Sequence, residues 1–208
     1  MLLGALMKRN HDLRESRTAV KERRRTSRLL IEKPVSRGMK DYKKVRKLLK
    51  KSFSSADLFP FWALNLMAAR PSVDYTAYYY GGRLCGVSYA ISNSRLFYVL
   101  YLAVEESVRG EGFGTIIVRR LLQKAGSREL VLDVEAPNRP ARNAREREER
   151  IEFYEKNGIT DTGWDLVEET RRYRILSSRG RSFDRGDLYR LIWRFTLGYN
   201  QIKTEKHR

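Results

Sequence analysis

The sequence predicts a layered α/β (α+β) domain in which one central sheet is flanked by helices. Two patterns carry that expectation. Apolar or β-prone runs recur at 29–33, 75–80, 83–92, 95–104 and 129–135, and segments with apolar residues at helical spacing separate or close them. Size agrees: 208 residues, 41% hydrophobic and 11% aromatic, suffice for one sizeable core and argue against wholesale disorder.

The elements follow in order. Leu29–Lys33 is a short apolar run closed by Pro34, read as a first strand. Residues 41–53 carry Tyr42, Val45, Leu48, Leu49 and Phe53 on one stripe with lysines and Arg46 opposite, an amphipathic helix. Residues 57–69, rich in Leu, Met, Phe and Trp, read as a second helix ending before Pro71. Tyr75–Tyr80, then Gly81-Gly82, then Arg83–Ser92 is a hairpin pattern. Arg95–Val104 is a strongly apolar strand. Residues 111–125 are helical, with Ile116, Ile117, Leu121 and Leu122 together. Glu129–Glu135 is a strand of the buried type, and Pro137 and Pro140 then break the chain. Asn143 is positioned to cap a helix that runs through Lys156 and stops at Gly158. Residues 164–169 and 172–176 are weaker strands, and 187–197 form a closing amphipathic helix through Leu188, Leu191, Ile192 and Phe195. The expected organisation is a basic N-terminal extension (1–28), one domain (29–198) and a basic tail (199–208).

Charge suggests a nucleic-acid or anionic-membrane partner at first sight, since 43 Lys+Arg against 25 Asp+Glu gives +18. Its distribution weakens that suggestion. Residues 1–50 hold 17 basic and 5 acidic residues (net +12), and 171–208 hold 11 and 3 (net +8). The middle, 51–170, holds 15 and 17, a net of −2. The excess sits at the ends, so nucleic-acid binding through them stays open but is not favoured. The apolar stretch Met1–Met7 is followed, not preceded, by Lys8 and Arg9 and is short for a secretory leader. No apolar run approaches ~18 residues, so neither a leader nor a membrane span is expected, and a cytoplasmic location is. One cysteine, Cys85, excludes an internal disulfide framework and a Cys-rich zinc site. With only two histidines, a His-based metal centre is not expected either.

The chemistry is carried by Tyr101–Leu122, a strand, then Val108-Arg109-Gly110-Glu111-Gly112-Phe113-Gly114-Thr115, then a helix. Three glycines in five residues at a strand-to-helix turn let backbone approach a ligand closely. Successive N–H groups and a helix N-terminus make an anion nest suited to a pyrophosphate. No Lys follows the last glycine, so this is not a P-loop, and the spacing is not G-x-G-x-x-G.

Arg109-x-x-Gly112-x-Gly114 resembles the R/Q-x-x-G-x-G/A motif of the GNAT acetyltransferase superfamily. Downstream, Phe153-Tyr154-Glu155-Lys156-Asn157-Gly158-Ile159 resembles that superfamily's F-Y-E-K-x-G-F helix end. The resemblance covers about residues 29–176. It implies a mixed central sheet that splays between its fourth and fifth strands, with acetyl-CoA as donor substrate wedged in the opening and no metal. Leu102, Ala103 and Val104 would pair with pantetheine amides as an added strand does. Backbone N–H near Val104 would polarise the thioester carbonyl. Arg109, Gly110, Glu111, Gly112, Phe113, Gly114 and Thr115 would hold the pyrophosphate. Many members place an Asn seven residues before the tyrosine; Arg147 stands there, leaving Asn138 or Asn143 as substitutes.

Tyr154 matches the family's general acid, a phenol of pKa near ~10 suited to protonating a departing thiolate. Read without the resemblance, it is an aromatic on a helix face. An amine nucleophile needs a proton acceptor, and Glu135 at the end of its strand is the candidate; alternation puts Asp133 on the same face. Phe59-Pro60-Phe61-Trp62 and Tyr78-Tyr79-Tyr80 are aromatic enough to line an acceptor pocket, though such clusters are more often core. The expected function is transfer of an acetyl group from acetyl-CoA to a primary amine by direct attack in a ternary complex. The acceptor is left open between a small molecule and a protein or peptide amine. Two other readings remain: an acetyltransferase docked on RNA or ribosomal substrates through its basic ends, and a non-catalytic binding module of the same fold. Homodimers are common in the family, so that state stays open too.

Overall fold

A computed structural model of the chain describes residues 29–137, 143–168, 171–198 and 202–207. The expected extension (1–28) and Asn138 lie outside the described residues.

The elements are β1 (Ile31–Pro34), α1 (Tyr42–Ser52), α2 (Phe61–Met67), β2 (Val73–Tyr80), β3 (Arg83–Ser92), β4 (Leu96–Val104), α3 (Phe113–Ala125), β5 (Glu129–Glu135), α4 (Ala144–Glu155), β6 (Thr160–Glu168), β7 (Arg171–Ser177), α5 (Arg185–Phe195) and β8 (Lys203–Lys206). Short 3-10 turns lie at Glu106–Val108 and Gly180–Ser182. The strands form one sheet in the order β1-β2-β3-β4-β5-β7-β6-β8. Only β4 and β5 pair in parallel.

The pattern of side chains explains the layering. On one face, Val45, Leu48 and Leu49 of α1, Leu64 of α2 and Leu188, Leu191 and Ile192 of α5 pack on Tyr75, Ala77, Val87, Tyr89 and Ile91 of the sheet. On the other, Phe113, Ile116, Ile117 and Leu121 of α3 and Tyr154 of α4 pack on Tyr78, Cys85, Phe97, Val99, Leu130 and Leu132. Period-2 alternation feeds β2, β3, β4, β5 and β7 into both cores, so the sheet is the middle of three layers. Truncating a fully buried leucine such as Leu121 would cost ~2–5 kcal/mol. Gly86 of β3 marks the closest approach of α3: an added Cβ would meet Ala103 O and Ile117 Cδ1 at 2.8 Å each.

The sheet opens at one point. β4 and β5 pair only from Leu96–Val99 to Glu129–Leu132, although β4 runs on to Val104 and β5 to Glu135. On its other side β4 slips in register against β3: Tyr89 faces Tyr101 and Ala90 faces Val99, leaving Leu100 as an extra residue. Such a bulge bends and overtwists its strand. It falls one residue past the last β4–β5 pair, and from there β4 leaves β5, whose other edge stays paired with β7 through Val131–Glu135.

Three departures from the sequence reading have local causes. α2 starts at Phe61 rather than 57, because proline disfavours helical backbone at the residue before it and Pro60 instead serves as N-cap. β6 starts at Thr160, not 164, and crosses an irregularity between Asp161 and Asp165 where Gly163 takes φ 83°. Within the stretch expected as a basic tail, Lys203–Lys206 pairs with Trp164–Val167 as the edge strand.

Candidate active site

The strand-to-helix turn folds as its glycines demand. Gly110 (φ 83°) and Gly112 (φ 85°) occupy the left-handed region, which costs an L-residue roughly 1–2 kcal/mol and glycine almost nothing. Gly112 is the N-cap of α3 and supplies no side-chain cap. The N–H groups from Gly112 to Thr115 therefore lack intrahelical acceptors and stand at the positive end of the helix. Gly114 lets α3 lie against α4: a Cβ there would sit 3.2 Å from the Phe153 ring. Arg109 Nε donates to Val104 O at 3.4 Å, and Lys51 pairs with Glu106 at the rim.

A cavity of about 760 Å³ fills the fork between β4 and β5. Of the residues expected to hold the cofactor, Leu102, Ala103, Val104, Arg109, Gly110, Gly112, Gly114 and Thr115 line it. Glu111 does not, and Phe113 turns into the core, 2% exposed and 5.3 Å from the Tyr80 ring. Beyond Val99, the edge of β4 that faces the cavity has no strand partner. An anion nest, an open strand edge and a cavity of this size together fit a pyrophosphate joined to an amide chain, as acetyl-CoA is.

Tyr154, in the last turn of α4, lines the same cavity and is 7% exposed. Burial pushes its hydroxyl up to about 12, with the nearby Arg150 cation acting in the opposite direction. That hydroxyl bonds to no described residue.

A second cavity of about 510 Å³ lies across the fork, and Ser52, Phe53, Leu100, Asp133, Val134 and Arg150 border both. Here the two carboxylates on β5 part company. Glu135 accepts from Arg147 Nη2 at 3.1 Å and lies 3.8 Å from Arg150 Nη1. Asp133 accepts only a hydrogen bond from the Tyr98 hydroxyl, and no described lysine or arginine pairs with it. Burial lifts its carboxyl from 3.8 to about 6, against the lowering effect of the Tyr98 bond and with further upward pressure from Glu168 and Asp57. Sequence reasoning favoured Glu135; alternation had put Asp133 on the same face, but the two guanidiniums from α4 that separate them were not visible there.

Arg147 also has a structural task. It donates to Ala136 O (3.0 Å), Asn143 Oδ1 (3.0 Å) and Glu135, tying the end of β5 to the first turns of α4. Asn143 is thus engaged by Arg147.

The expected aromatic clusters divide. Phe59 and Pro60 line the second cavity, Phe61 lies under the Arg46 guanidinium at 4.7 Å, and Trp62 is 70% exposed. Tyr78 is in the opposite core, bonded to Ser88 at 3.0 Å. Cys85 is buried beside it, and burial pushes its thiol up. The loop before α2, which carries Phe59 and Pro60, is tied to the sheet on two sides. The Tyr101 hydroxyl donates to Asp57 O (2.9 Å) and accepts from Phe59 N (3.0 Å). The Asp57 carboxylate takes bonds from Tyr173 (2.5 Å) and Arg171 on β7.

Comparison with known proteins agrees with this geometry. The sequence model of the Acetyltransferase (GNAT) family matches residues 42–159. No curated protein matches the chain. Among solved structures, a protein of Bacteroides thetaiotaomicron described as a GNAT-family acetyltransferase superposes with a TM-score of 0.64 at 18% identity, covering 82% of this chain and 99% of that one. Naa50 of Arabidopsis thaliana, in complex with the bisubstrate analogue CoA-Ac-MVNAL, gives 0.54 at 20% identity, covering 72% and 97%. A chimera of spermidine N-acetyltransferase SpeG from Vibrio cholerae and hSSAT gives 0.56 at 17%, covering 72% and 94%. At these identities the structures attest the fold, and the family match spans more than half of the sequence: the chain belongs to the GNAT acetyltransferase family.

Proposed function

We propose that the protein moves the acetyl group of acetyl-CoA to a primary amine by direct attack in a ternary complex. The observation that carries this reading is the meeting of two cavities at the β4–β5 fork, one lined by the glycine turn and Tyr154, the other reaching Asp133. The N–H groups of Gly112 to Thr115 receive the pyrophosphate, and the open edge of Leu102–Val104 receives the pantetheine amides. Bound this way, acetyl-CoA supplies a thioester whose carbonyl carbon faces the second cavity.

The amine enters from that second cavity. Asp133 takes the proton that the nitrogen must lose, directly or through one water, as the N–C bond forms. A backbone N–H of the β4 edge stabilises the charge that develops on the carbonyl oxygen. Tyr154 protonates the departing sulfur as the C–S bond breaks; its high pKa keeps the phenol protonated for that task at neutral pH. We assign the base to Asp133 in preference to Glu135, because Arg147 and Arg150 already engage Glu135, whereas burial raises the basicity of Asp133.

Calorimetric titration with acetyl-CoA, followed by thiol release with an amine panel, tests the reading. Binding and thiol release in the wild type are expected, and Tyr154→Phe should retain binding while losing about 10²–10⁴ in turnover. Absence of acetyl-CoA binding overturns the reading, and full activity in Tyr154→Phe overturns the acid assignment.

A further inference from the structure

The walls of the second cavity say what kind of amine it takes, provided that the acetyltransferase reading holds. Its lining is mixed: Phe53, Phe59, Leu166, Ile192, Phe195 and Ile202 give it an aromatic and aliphatic wall, and serines and charged side chains also line it. The tyrosines that border it offer rings rather than free hydroxyls. Tyr98 gives its proton to Asp133, Tyr101 binds the Asp57 and Phe59 backbone, and Tyr173 binds the Asp57 carboxylate.

The carboxylates are equally committed. Arg171 holds Asp57 and lies 3.4 Å from Glu168, while Arg147 and Arg150 hold Glu135. Only Asp133 faces the cavity without a cation on it. One ammonium therefore has a partner waiting, and a second would meet carboxylates already neutralised and the Arg150 guanidinium. The wall of Phe53, Phe59, Leu166, Ile192, Phe195 and Ile202 rewards apolar surface laid against it, at roughly 25 cal/mol per Å².

Asp57 bridges the loop before α2 to β7 through Arg171 and Tyr173, and Tyr101 pins the same loop to β4, so this wall of the cavity is held in place. A volume of about 510 Å³ suits a small molecule.

We propose that the acceptor is a small primary monoamine carrying an aryl or branched-alkyl body, seated with its one ammonium on Asp133 and its body against the aromatic walls.

The test is a thiol-release panel on the full chain with acetyl-CoA: 2-phenylethylamine and isoamylamine against spermidine, kanamycin and an unblocked pentapeptide. Calorimetric titration of the same amines into the CoA-loaded protein runs in parallel. The expected result is kcat/KM for 2-phenylethylamine roughly 100-fold above spermidine, with the same order in the binding constants. A second variant reads the charge argument. Arg171→Gln leaves Asp57 and Glu168 without their guanidinium, and the ratio of spermidine to 2-phenylethylamine turnover should rise about tenfold or more. Preference for spermidine, kanamycin or the pentapeptide in the wild type overturns the proposal while leaving the acetyltransferase reading intact. An unchanged ratio in Arg171→Gln also counts against it. No thiol release with any amine, despite acetyl-CoA binding, overturns both.

Discussion

Asp133→Asn separates what this residue does for catalysis from what it does to the fold. Its carboxyl sits at about 6 in the folded chain and near 3.8 when solvated, so the unfolded chain gives up the proton first as pH rises. Wild-type stability therefore falls between about pH 3.8 and pH 6 and is flat above, the reverse of the usual salt-bridged aspartate. That interval is worth about 3 kcal/mol at ~1.4 kcal/mol per pH unit. Asparagine keeps an acceptor for the Tyr98 hydroxyl but brings an amide that needs its own partner, at a cost of roughly 1–2 kcal/mol. The net gain at pH 7.5 is then about 1–2 kcal/mol, which raises Tm by roughly 2–8 °C in a chain of this size. Thermal melts of both proteins at pH 7.5 and pH 4 measure it. The variant should melt higher at pH 7.5, the order should reverse at pH 4, where the wild-type penalty is mostly gone and the cost of the amide remains, and kcat/KM should drop about 10²–10⁴. A variant less stable than wild type at pH 7.5, or a difference indifferent to pH, would refute the claim that Asp133 is an ionised, desolvated base.

Other perturbations read neighbouring parts of the site. Gly112→Ala forces an L-residue to φ 85°, so it should lose roughly 1–2 kcal/mol in a denaturant melt and weaken acetyl-CoA binding in the same preparation. Arg147→Ala removes two hydrogen bonds from α4 to the end of β5 and a third to the helix's own N-cap Asn143, and should cost about 2 kcal/mol, while acetyl-CoA affinity changes little. Catalysis in that variant should survive if, as proposed, the reacting groups are Asp133 and Tyr154. Gly86→Ala sets a methyl 2.8 Å from Ala103 O and from Ile117, and should lower Tm through overpacking worth ~1–3 kcal/mol.

Strong local patterns were legible from the residues alone. The four strands from Val73 to Glu135 run largely apolar because each is buried on both faces. The glycines at 110, 112 and 114 sit where left-handed backbone and a close helix contact require them. What escaped is what depends on partners distant in sequence. Lys203–Lys206 has no strand-like side chains and exists as β8 only because Trp164–Val167 offers a free edge. The choice between Asp133 and Glu135 rests on Arg147 and Arg150, which a break at Pro137–Pro140 separates from β5. The tie along one wall of the second cavity rests on Asp57 meeting Arg171, 114 residues on.

The surplus residue in β4 has a wider consequence. Tyr98, Leu100, Tyr101 and Ala103 all face the same core, so Leu100 could be excised without turning its neighbours to the wrong side. A chain lacking it would regain an unbroken ladder, and β4 could then continue alongside β5 towards Glu135. The substrate cleft is in that sense a counting error preserved in the backbone. Point substitutions at Leu100 leave the count intact, whereas a single-codon deletion would zip the fork shut and yield a well-folded protein with nowhere to put its donor.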